Sequence, residues 1–253
     1  MPVRLRRIVF GGLGRAYPKL DWAPRMFRAK STFQSMARES VAGYFHTMCI
    51  LRDAQRDALY TPAFRRRLAG YGAVETFRRH ARHAEGYDGL ALVQYLDLKT
   101  YLPGDINTKV DRASMANSLE VREPLMDHPL VEWLARVPSH LKLRRGEGKY
   151  LLKKAMEPQL PHDVLYRPKM GFAVPLAGWF RGPLRARVRQ TVLGPQLLDT
   201  GWFDSAALTG IVDAHLAGTR DHSAAIWTLM MLEAFLRSTV DAQERPTAMP
   251  VLA

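Results

Sequence analysis

The sequence predicts a mostly α protein, and three observations carry that expectation. Apolar residues recur at three- and four-residue spacing along most of the chain. Two-residue alternation is nearly absent, and no Val- and Ile-rich run of the kind a buried parallel strand needs is present. Of 253 residues, 47% are hydrophobic and 24% charged, values that exclude disorder along the whole length. The length suits one large or two small domains with a real core.

The first forty residues are basic and punctuated by Gly11, Gly12, Gly14, Pro18 and Pro24. They read as a helical hairpin or a loop-rich lead-in. A helix is expected over 41–52, "VAGYFHTMCILR". "TPAFRRRL" starts another, with Thr61 as N-cap and Pro62 at the first helical position. "AVETFRRHARHA" is a third amphipathic candidate. In "DGLALVQYLDLKTYL", Leu90, Val93 and Leu96 take helical spacing beside Leu92 and Tyr95, and Pro103 is expected to stop the helix. The next helix is expected over 107–119. "HPLVEWLARVP" follows, ended by Pro138, and then "GKYLLKKAMEPQL", closed by Pro158 and Pro161.

A loop, "YRPKMGFAVPLAGWFRG", is expected to turn Phe172 and Val174 inward, with Lys169 beside Gly171. It leads into "PLRARVRQTVL". The last helices are "DSAALTGIVDAHLAG", with Asp204 or Ser205 as N-cap and Gly218 as stop, and "HSAAIWTLMMLEAFLRSTV". Beyond 241 the chain reads as a frayed, flexible tail. The organisation expected is a helical lead-in or insert over 1–89, a helical region over 90–240, and the tail over 241–253.

A formal charge of +13 and a pI near 10.2 favour polyanionic partners such as nucleic acid, acidic membrane or a nucleotide triphosphate. The arginines are scattered and form no aromatic-interleaved stripe of the kind that binds single strands. The most apolar stretch, 224–236, is interrupted by Glu233 and falls short of the roughly 20 residues a membrane span needs. The N-terminus is too broken for a signal peptide, so a cytoplasmic location without a membrane partner is expected. Cys49 is the single cysteine. It excludes an internal disulfide, and its apolar setting reads as packing rather than nucleophile.

The most chemically loaded stretch is "GDINTKVDRASMANSLEVREPLMDH", residues 104–128. On its helical part Lys109 and Arg112 share one face, while Asp111 lies about 200° from Lys109 and does not pair with it. Taken alone, such a face reads as a solvated surface. The following "LEVREPLMDH" alternates, so it is expected to be extended, with Glu120 and Arg122 on one side and Val121 and Glu123 on the other. The apolar flank of Leu119 and Val121 predicts partial burial, which would make Glu120 a candidate for proton transfer. In "LRRGEGKYLLKKA", Gly146 and Gly148 bracket a turn and Lys149 is expected in the first turn of a helix, a place suited to phosphate. No residue reads as a metal ligand.

Taken in order, "YLPGDINTKVDRASMANSLEVREPLMDH", "LKLRRGEGKYLLKKA", "LPHDVLYRPKMGFAVPLAGWF" and the late "WTLMMLEAF" resemble the C-terminal part of glutamine-hydrolysing asparagine synthetases. The wording is closest to the asparagine-synthetase-like amidotransferases found beside exopolysaccharide and exosortase systems. The resemblance implies the helical C-terminal portion of an adenine-nucleotide α-hydrolase-like synthetase domain. It implies ATP and Mg2+ as cofactors, adenylation of the aspartate side-chain carboxylate with release of pyrophosphate, and amide formation with glutamine-derived ammonia. Lys149 matches the family's phosphate-holding lysine and Glu120 with Arg122 its Leu-Glu-x-Arg-x-Pro signature. Lys109, Asp111 and Arg112 match its Lys-x-Asp-Arg run.

This sequence also departs from that pattern. It lacks the Ser-Gly-Gly-x-Asp-Ser pyrophosphate loop, the later Ser-Gly-x-Gly-x-Asp-Glu loop and the glutaminase with its Cys at position two, where Pro2 stands. Glu123 replaces the small apolar residue usual before the proline and is expected to disturb packing or pair with Arg122. The nucleotide-binding sheet is largely absent. The chain therefore reads as a C-terminal fragment or split subunit, inactive alone. Its implied partners are the missing glutaminase and nucleotide-binding portion, aspartate or a related carboxylate such as a sugar acid, and a second copy in a homodimer of the full enzyme. The alternative is a non-catalytic basic helical module that binds nucleic acid or another polyanion.

Overall fold

The structure is a computed structural model that describes residues 3–17, 30–168 and 174–244. In chain order its helices are α1 (Val3–Ala16), α2 (Lys30–Met36), α3 (Ser40–Met48), α4 (Asp53–Leu59), α5 (Pro62–Leu68), α6 (Val74–Ala81), α7 (Gly89–Lys99), α8 (Thr108–Met115), α9 (His128–Arg136), α10 (Ser139–Lys142), α11 (Tyr150–Met156), α12 (His162–Leu165), α13 (Leu176–Arg181), α14 (Arg185–Val192), α15 (Pro195–Leu198), α16 (Ser205–Leu216) and α17 (Ser223–Glu244). Among the described residues the β structure is one small hairpin, β1 (Leu143–Arg144) with β2 (Glu147–Gly148), and an isolated bridge between Tyr60 and Phe203. The mostly α expectation holds.

The chain divides into two compact units that interleave in sequence. The first comprises Met1–Met48 and Ala73–Gly171, the second Cys49–Gly72 and Phe172–Ala253. In the first, α1 packs against α2, so the described part of the lead-in is helical. Phe10 stacks on Phe33 at 6.3 Å and Tyr17 meets that ring edge-on at 5.6 Å. Gly43 lets α3 close on α2, because a Cβ there would lie 2.8 Å from the Ser35 carbonyl oxygen. Ser35 in turn donates its hydroxyl to the Gly43 carbonyl at 2.8 Å. Phe45 packs edge-on against Phe77, and the Tyr44 hydroxyl donates to the Asp97 carboxylate, joining α3 to α7. Val41, Phe45, Ala84 and Leu96 are the buried apolar side chains of this unit among the described residues. From 97 to 168 not one residue is fully buried.

Around α3 and α7, helix boundaries differ from expectation for local reasons. The helix expected over 41–52 ends at Met48, and α4 starts anew at Asp53. There the Gln55 side chain takes the Arg52 backbone N–H at 3.2 Å, so that donor is satisfied at a new helix start. Pro103 does not stop α7. The break comes at Thr100 (φ −130°, ψ −70°), whose hydroxyl donates back to the Leu96 carbonyl. Pro103 then sits in the first turn of a π-helical stretch, Leu102–Asn107, where a missing N–H costs nothing.

The second unit has a continuous core. Leu208, Val212 and Leu216 line one face of α16, Val188 and Val192 one face of α14, and Ile226, Leu229 and Met230 one face of α17. They close around Phe180 of α13 and Leu197 of α15, both without exposure. Phe180 and Leu176 lie in the stretch expected to be loop; α13 is a helix because these two apolar residues, four apart, face this core. Asp204 caps α16 by accepting the Ala207 N–H at 2.8 Å. Thr61 caps α5 as expected, accepting the Phe64 N–H at 3.2 Å, and its own hydroxyl donates to the Gly201 carbonyl at 2.7 Å. The Tyr60–Phe203 bridge adds two backbone bonds, Thr61 N–H to Trp202 O and Asp204 N–H to Leu59 O, which tie α4 and α5 to the core. Helix α17 runs on to Glu244. No described helix is long and apolar enough to cross a membrane.

One titratable group sits inside that core. His215 on α16 has no exposure and meets Phe180 edge-on at 6.2 Å. Its Nδ1 accepts the His222 backbone N–H at 3.1 Å, so the neutral ring carries its proton on Nε2. Burial pushes the imidazole below its usual 6.5, Arg181 acts in the same direction, and Asp221 opposes both. The unfolded chain therefore binds this proton more tightly than the folded one. Stability is intact above about pH 6.5 and falls as the pH drops through the lowered folded value. Thermal melts at pH 7.5, 6.0 and 5.0 are expected to show this loss, and His215→Gln, which can still accept the His222 N–H, is expected to flatten it. An unchanged slope in that variant would assign the loss to other groups.

Candidate functional site

All six residues singled out from the sequence lie in the first unit. Helix α8 carries Lys109, Asp111 and Arg112, all exposed. It stops earlier than 119, through a Schellman arrangement. The Leu119 N–H bonds to the Ser114 carbonyl at 3.0 Å and the Ser118 N–H to the Met115 carbonyl at 3.0 Å. Ser118 takes the left-handed conformation (φ 56°) that glycine usually supplies. On α8 only Val110 and Ser114 are half-buried, so the helix presents nearly all its circumference to solvent. Neither Lys109 nor Arg112 forms an ion pair among the described residues.

The chain after α8 is extended through Glu123, and Pro124 opens a short 3₁₀ turn, Pro124–Met126. Glu120 and Arg122 face the same side, as the alternation predicts, and pair at 2.5 Å. Arg122 therefore spends its charge on Glu120, and Glu123 is not its partner. The expected burial is not found. Leu119 is 61% and Val121 46% exposed, and the Glu120 side chain is 69% exposed. The apolar flank has nothing to pack against among the described residues, so Glu120 keeps the solvation of a surface carboxylate.

The glycine-bracketed turn is a β-hairpin. Leu143 pairs with Gly148 and Arg144 with Glu147, leaving a two-residue loop of Arg145 (φ 50°) and Gly146 (φ 84°). Both positive angles make it the primed turn whose twist suits a hairpin. Lys149 is not in the first turn of α11 as expected. It is the residue before that helix, in left-handed conformation (φ 58°, ψ 29°), and its side chain caps nothing. The hairpin forces this, since the chain must turn sharply from β2 into α11.

The neighbouring lysines are committed. Lys153 pairs with Glu147 and lies 5.0 Å over the Tyr166 ring. Lys154 holds Glu157 at 2.8 Å, and Glu157 also accepts from the Tyr166 hydroxyl. These contacts hold Glu157 below the usual carboxylate range and raise the Lys154 ammonium. Lys149 is exposed and has no such partner among the described residues.

The sequence reading did not foresee the Glu147–Lys153 pair, because it depends on the hairpin bringing residues six apart together. Lys169, Gly171 and Phe172 lie outside the described residues, and Val174, expected inward, is 59% exposed. Cys49 is half-buried, and burial pushes its thiol up, away from a reactive thiolate. A shallow cavity of about 290 Å³ in the second unit, lined by Pro195, Gln196, Asp199, Thr200 and Leu236, contains none of the six. No three His, Cys, Asp or Glu side chains among the described residues converge on a metal position.

The chain is a basic, mostly helical protein with Lys149 uncommitted directly after a glycine-turned hairpin and Lys109 and Arg112 uncommitted on α8. The chain belongs to the asparagine synthase family, whose profile matches residues 8–237. A Mycobacterium tuberculosis protein provisionally named a glutamine-hydrolysing asparagine synthetase is 41% identical over 147 residues, 58% of this chain and 22% of that protein. Asparagine synthetase [glutamine-hydrolyzing] 1 of Bacillus subtilis is 34% identical over 148 residues, 58% of this chain and 23% of its own length. Amidase chyE of Penicillium rubens is 30% identical over 139 residues, 47% of this chain and 21% of its length. None of these three is named for an exopolysaccharide or exosortase system. The match thus spans between a fifth and a quarter of each relative. No solved structure matches the chain.

Because the Glu120–Arg122 pair is exposed, it contributes little to folding. Glu120→Ala and Arg122→Ala are each expected to change unfolding stability by less than about 0.5 kcal/mol, read by urea denaturation of the purified chain. A larger loss would mean that the pair holds the fold.

Proposed function

We propose that this chain is a fragment or split subunit of an asparagine-synthetase-type enzyme, supplying one wall of an ATP-dependent amide-forming site. The observation that carries this reading is the set of uncommitted cations, Lys109, Arg112 and Lys149, placed on motifs that match the family. Their neighbours Lys153, Lys154 and Arg122 are all neutralised by carboxylates. Exposed cations without a carboxylate partner can take an anion that arrives from outside.

In the reaction the family implies, a carboxylate oxygen of aspartate bonds to the α-phosphorus of ATP as the α–β anhydride bond breaks and pyrophosphate departs. Ammonia nitrogen then bonds to the acyl carbon, AMP leaves, and a proton is released from the nitrogen. Lys149, standing free at the head of α11, would meet the negative charge that builds on the phosphates. Lys109 and Arg112 would hold the carboxylate or phosphate from the α8 face. Glu120 would accept the proton, with Arg122 fixing its orientation. Mg2+ accompanying ATP would rest chiefly on the phosphates, as Mg2+ does in such sites. Aspartate is the first acceptor to test, and a sugar acid is the related alternative.

The chain alone is expected to release no pyrophosphate from ATP and aspartate, and to gain that activity when the glutaminase and nucleotide-binding portion is supplied. Lys149→Gly is the sharpest variant, because glycine suits φ 58° and keeps the local backbone while removing the ammonium. In the reconstituted enzyme it is expected to lose at least about a hundredfold in rate, with the helical circular dichroism unchanged. Pyrophosphate release by the lone chain would refute its incompleteness, and a fully active glycine variant would refute the role of Lys149.

A second reading is favoured by Arg65, Arg66 and Arg67 on α5, all exposed and none ion-paired among the described residues. A polyanion-binding module of this kind would retain nucleic acid on filters at low salt and release it steeply as salt rises. Absence of retention at low salt ends that reading.

A further inference from the structure

Helix α1 meets α2 with one side and leaves an apolar side bare. Phe10 stacks on Phe33 of α2, and a Cβ on Gly14 would lie 3.0 Å from the Gln34 side chain, so this side of α1 is occupied. On the opposite side Leu5 is 48% exposed, Ile8 73%, Val9 42% and Leu13 44%. At 3.6 residues per turn these four fall within an arc of about 140°. Gly12 and Ala16 are the other residues in that arc, so no polar side chain interrupts it. Arg4 and Arg15 border the arc beside Ile8, and Arg6 borders it beside Leu13. Arg7 adds a fourth cation, and α1 contains no Asp or Glu. None of the four arginines is ion-paired among the described residues. An exposed apolar stripe edged by unpaired cations marks a surface that something else covers.

We propose that α1 is an interfacial helix that lays this chain on the surface of an anionic lipid bilayer. The arc of Leu5, Ile8, Val9 and Leu13 enters the boundary between head groups and acyl chains, the bordering arginines meet anionic head groups, and α2 stays on the water side. The charge selects the occupant. A neutral apolar surface would cover the stripe and leave the arginines without counter-charge, whereas an anionic head-group layer over hydrocarbon answers both. Nucleic acid would answer the arginines through its phosphates, but it offers nothing to four aliphatic side chains at the centre of the face. Arg65, Arg66 and Arg67 on α5 have no exposed large apolar side chain on their helix, so the combination is particular to α1 in this comparison. A helix lying flat needs no membrane-crossing length, the criterion behind the expectation that no membrane partner exists. The proposal does not depend on the reading of the chain as part of an amide-forming enzyme.

The test floats the full chain with vesicles of phosphatidylcholine containing a quarter phosphatidylglycerol, and with vesicles of phosphatidylcholine alone. Hydrogen exchange on the vesicles locates the contact. Binding to the anionic vesicles is expected to be at least about tenfold stronger than to the neutral ones, with α1 gaining protection there. Ile8→Ser combined with Leu13→Ser is expected to weaken that binding at least about tenfold. Arg4→Gln combined with Arg15→Gln keeps the apolar face, and it is expected to weaken binding about tenfold on anionic vesicles only. Both pairs are expected to leave the helical circular dichroism unchanged. Arg65→Gln, Arg66→Gln and Arg67→Gln together are expected to leave the protection of α1 in place. The interfacial helix is overturned if the serine pair floats as the unmutated chain does, if protection falls on other segments, or if the chain does not float. Duplex DNA retention that the arginine pair abolishes, without flotation, would overturn it in favour of nucleic acid. A dimer that the serine pair abolishes, without flotation, would overturn it in favour of a second copy.

Discussion

An isolated helix gains little from its own hydrogen bonds, and its apolar stripe must be covered before the helix is held in place. The second unit meets that requirement fully. The stripes of α14, α16 and α17 face one another, and Phe180 and Leu197 fill the space between them. Everything else there is placed by that contact: the α13 turn because Phe180 must reach the core, the α4–α5 strap because Leu59 does, and the Tyr60–Phe203 bridge because Leu59 and Phe203 enter side by side. In the first unit the same requirement is met around Phe45, Ala84 and Leu96 and then stops being met. The candidate site begins where burial ends.

Much of the architecture was legible in the sequence because helices announce themselves through spacing and caps. Thr61–Pro62 and Asp204 begin helices where the rules place them, and the apolar positions of "SAALTGIVDAHL" fall on one buried face. The readings that went astray did so where a single residue was judged without its neighbours. Pro103 looks like a stop, but its meaning depends on whether it falls at the end of one helix or in the first turn of the next. Thr100, which ends α7 by bonding back onto it, carries no comparable signal. The "LAGWF" segment looks like loop because its glycine and prolines dominate a short window, and only the distant core explains why it winds.

The site was legible in a different sense. Candidate residues could be named from pattern and resemblance, but their environments could not. Alternation placed Glu120 and Arg122 on one side correctly, while the inference from apolar neighbours to burial failed, because burial depends on what lies opposite. Lys149 was given to the helix by its sequence position. The hairpin places it one residue earlier, in a left-handed conformation that no propensity would assign to lysine. A backbone of that kind is maintained only when the surrounding turn dictates it, and here Arg145 and Gly146 do so.

The paired and unpaired charges around α8 and α11 point in one direction. In water a pair such as Glu120–Arg122 is screened, and its two members gain roughly a kilocalorie or less from each other. The same groups beneath an apolar cover would interact several times more strongly, and a free cation such as Lys149 would become costly unless an anion accompanied it. An anion that reaches Lys149 would therefore favour any contact that shields the lysine, and without one the exposed cation resists being covered. Among the described residues, α8 and α11 carry these charges without a fully buried side chain of their own.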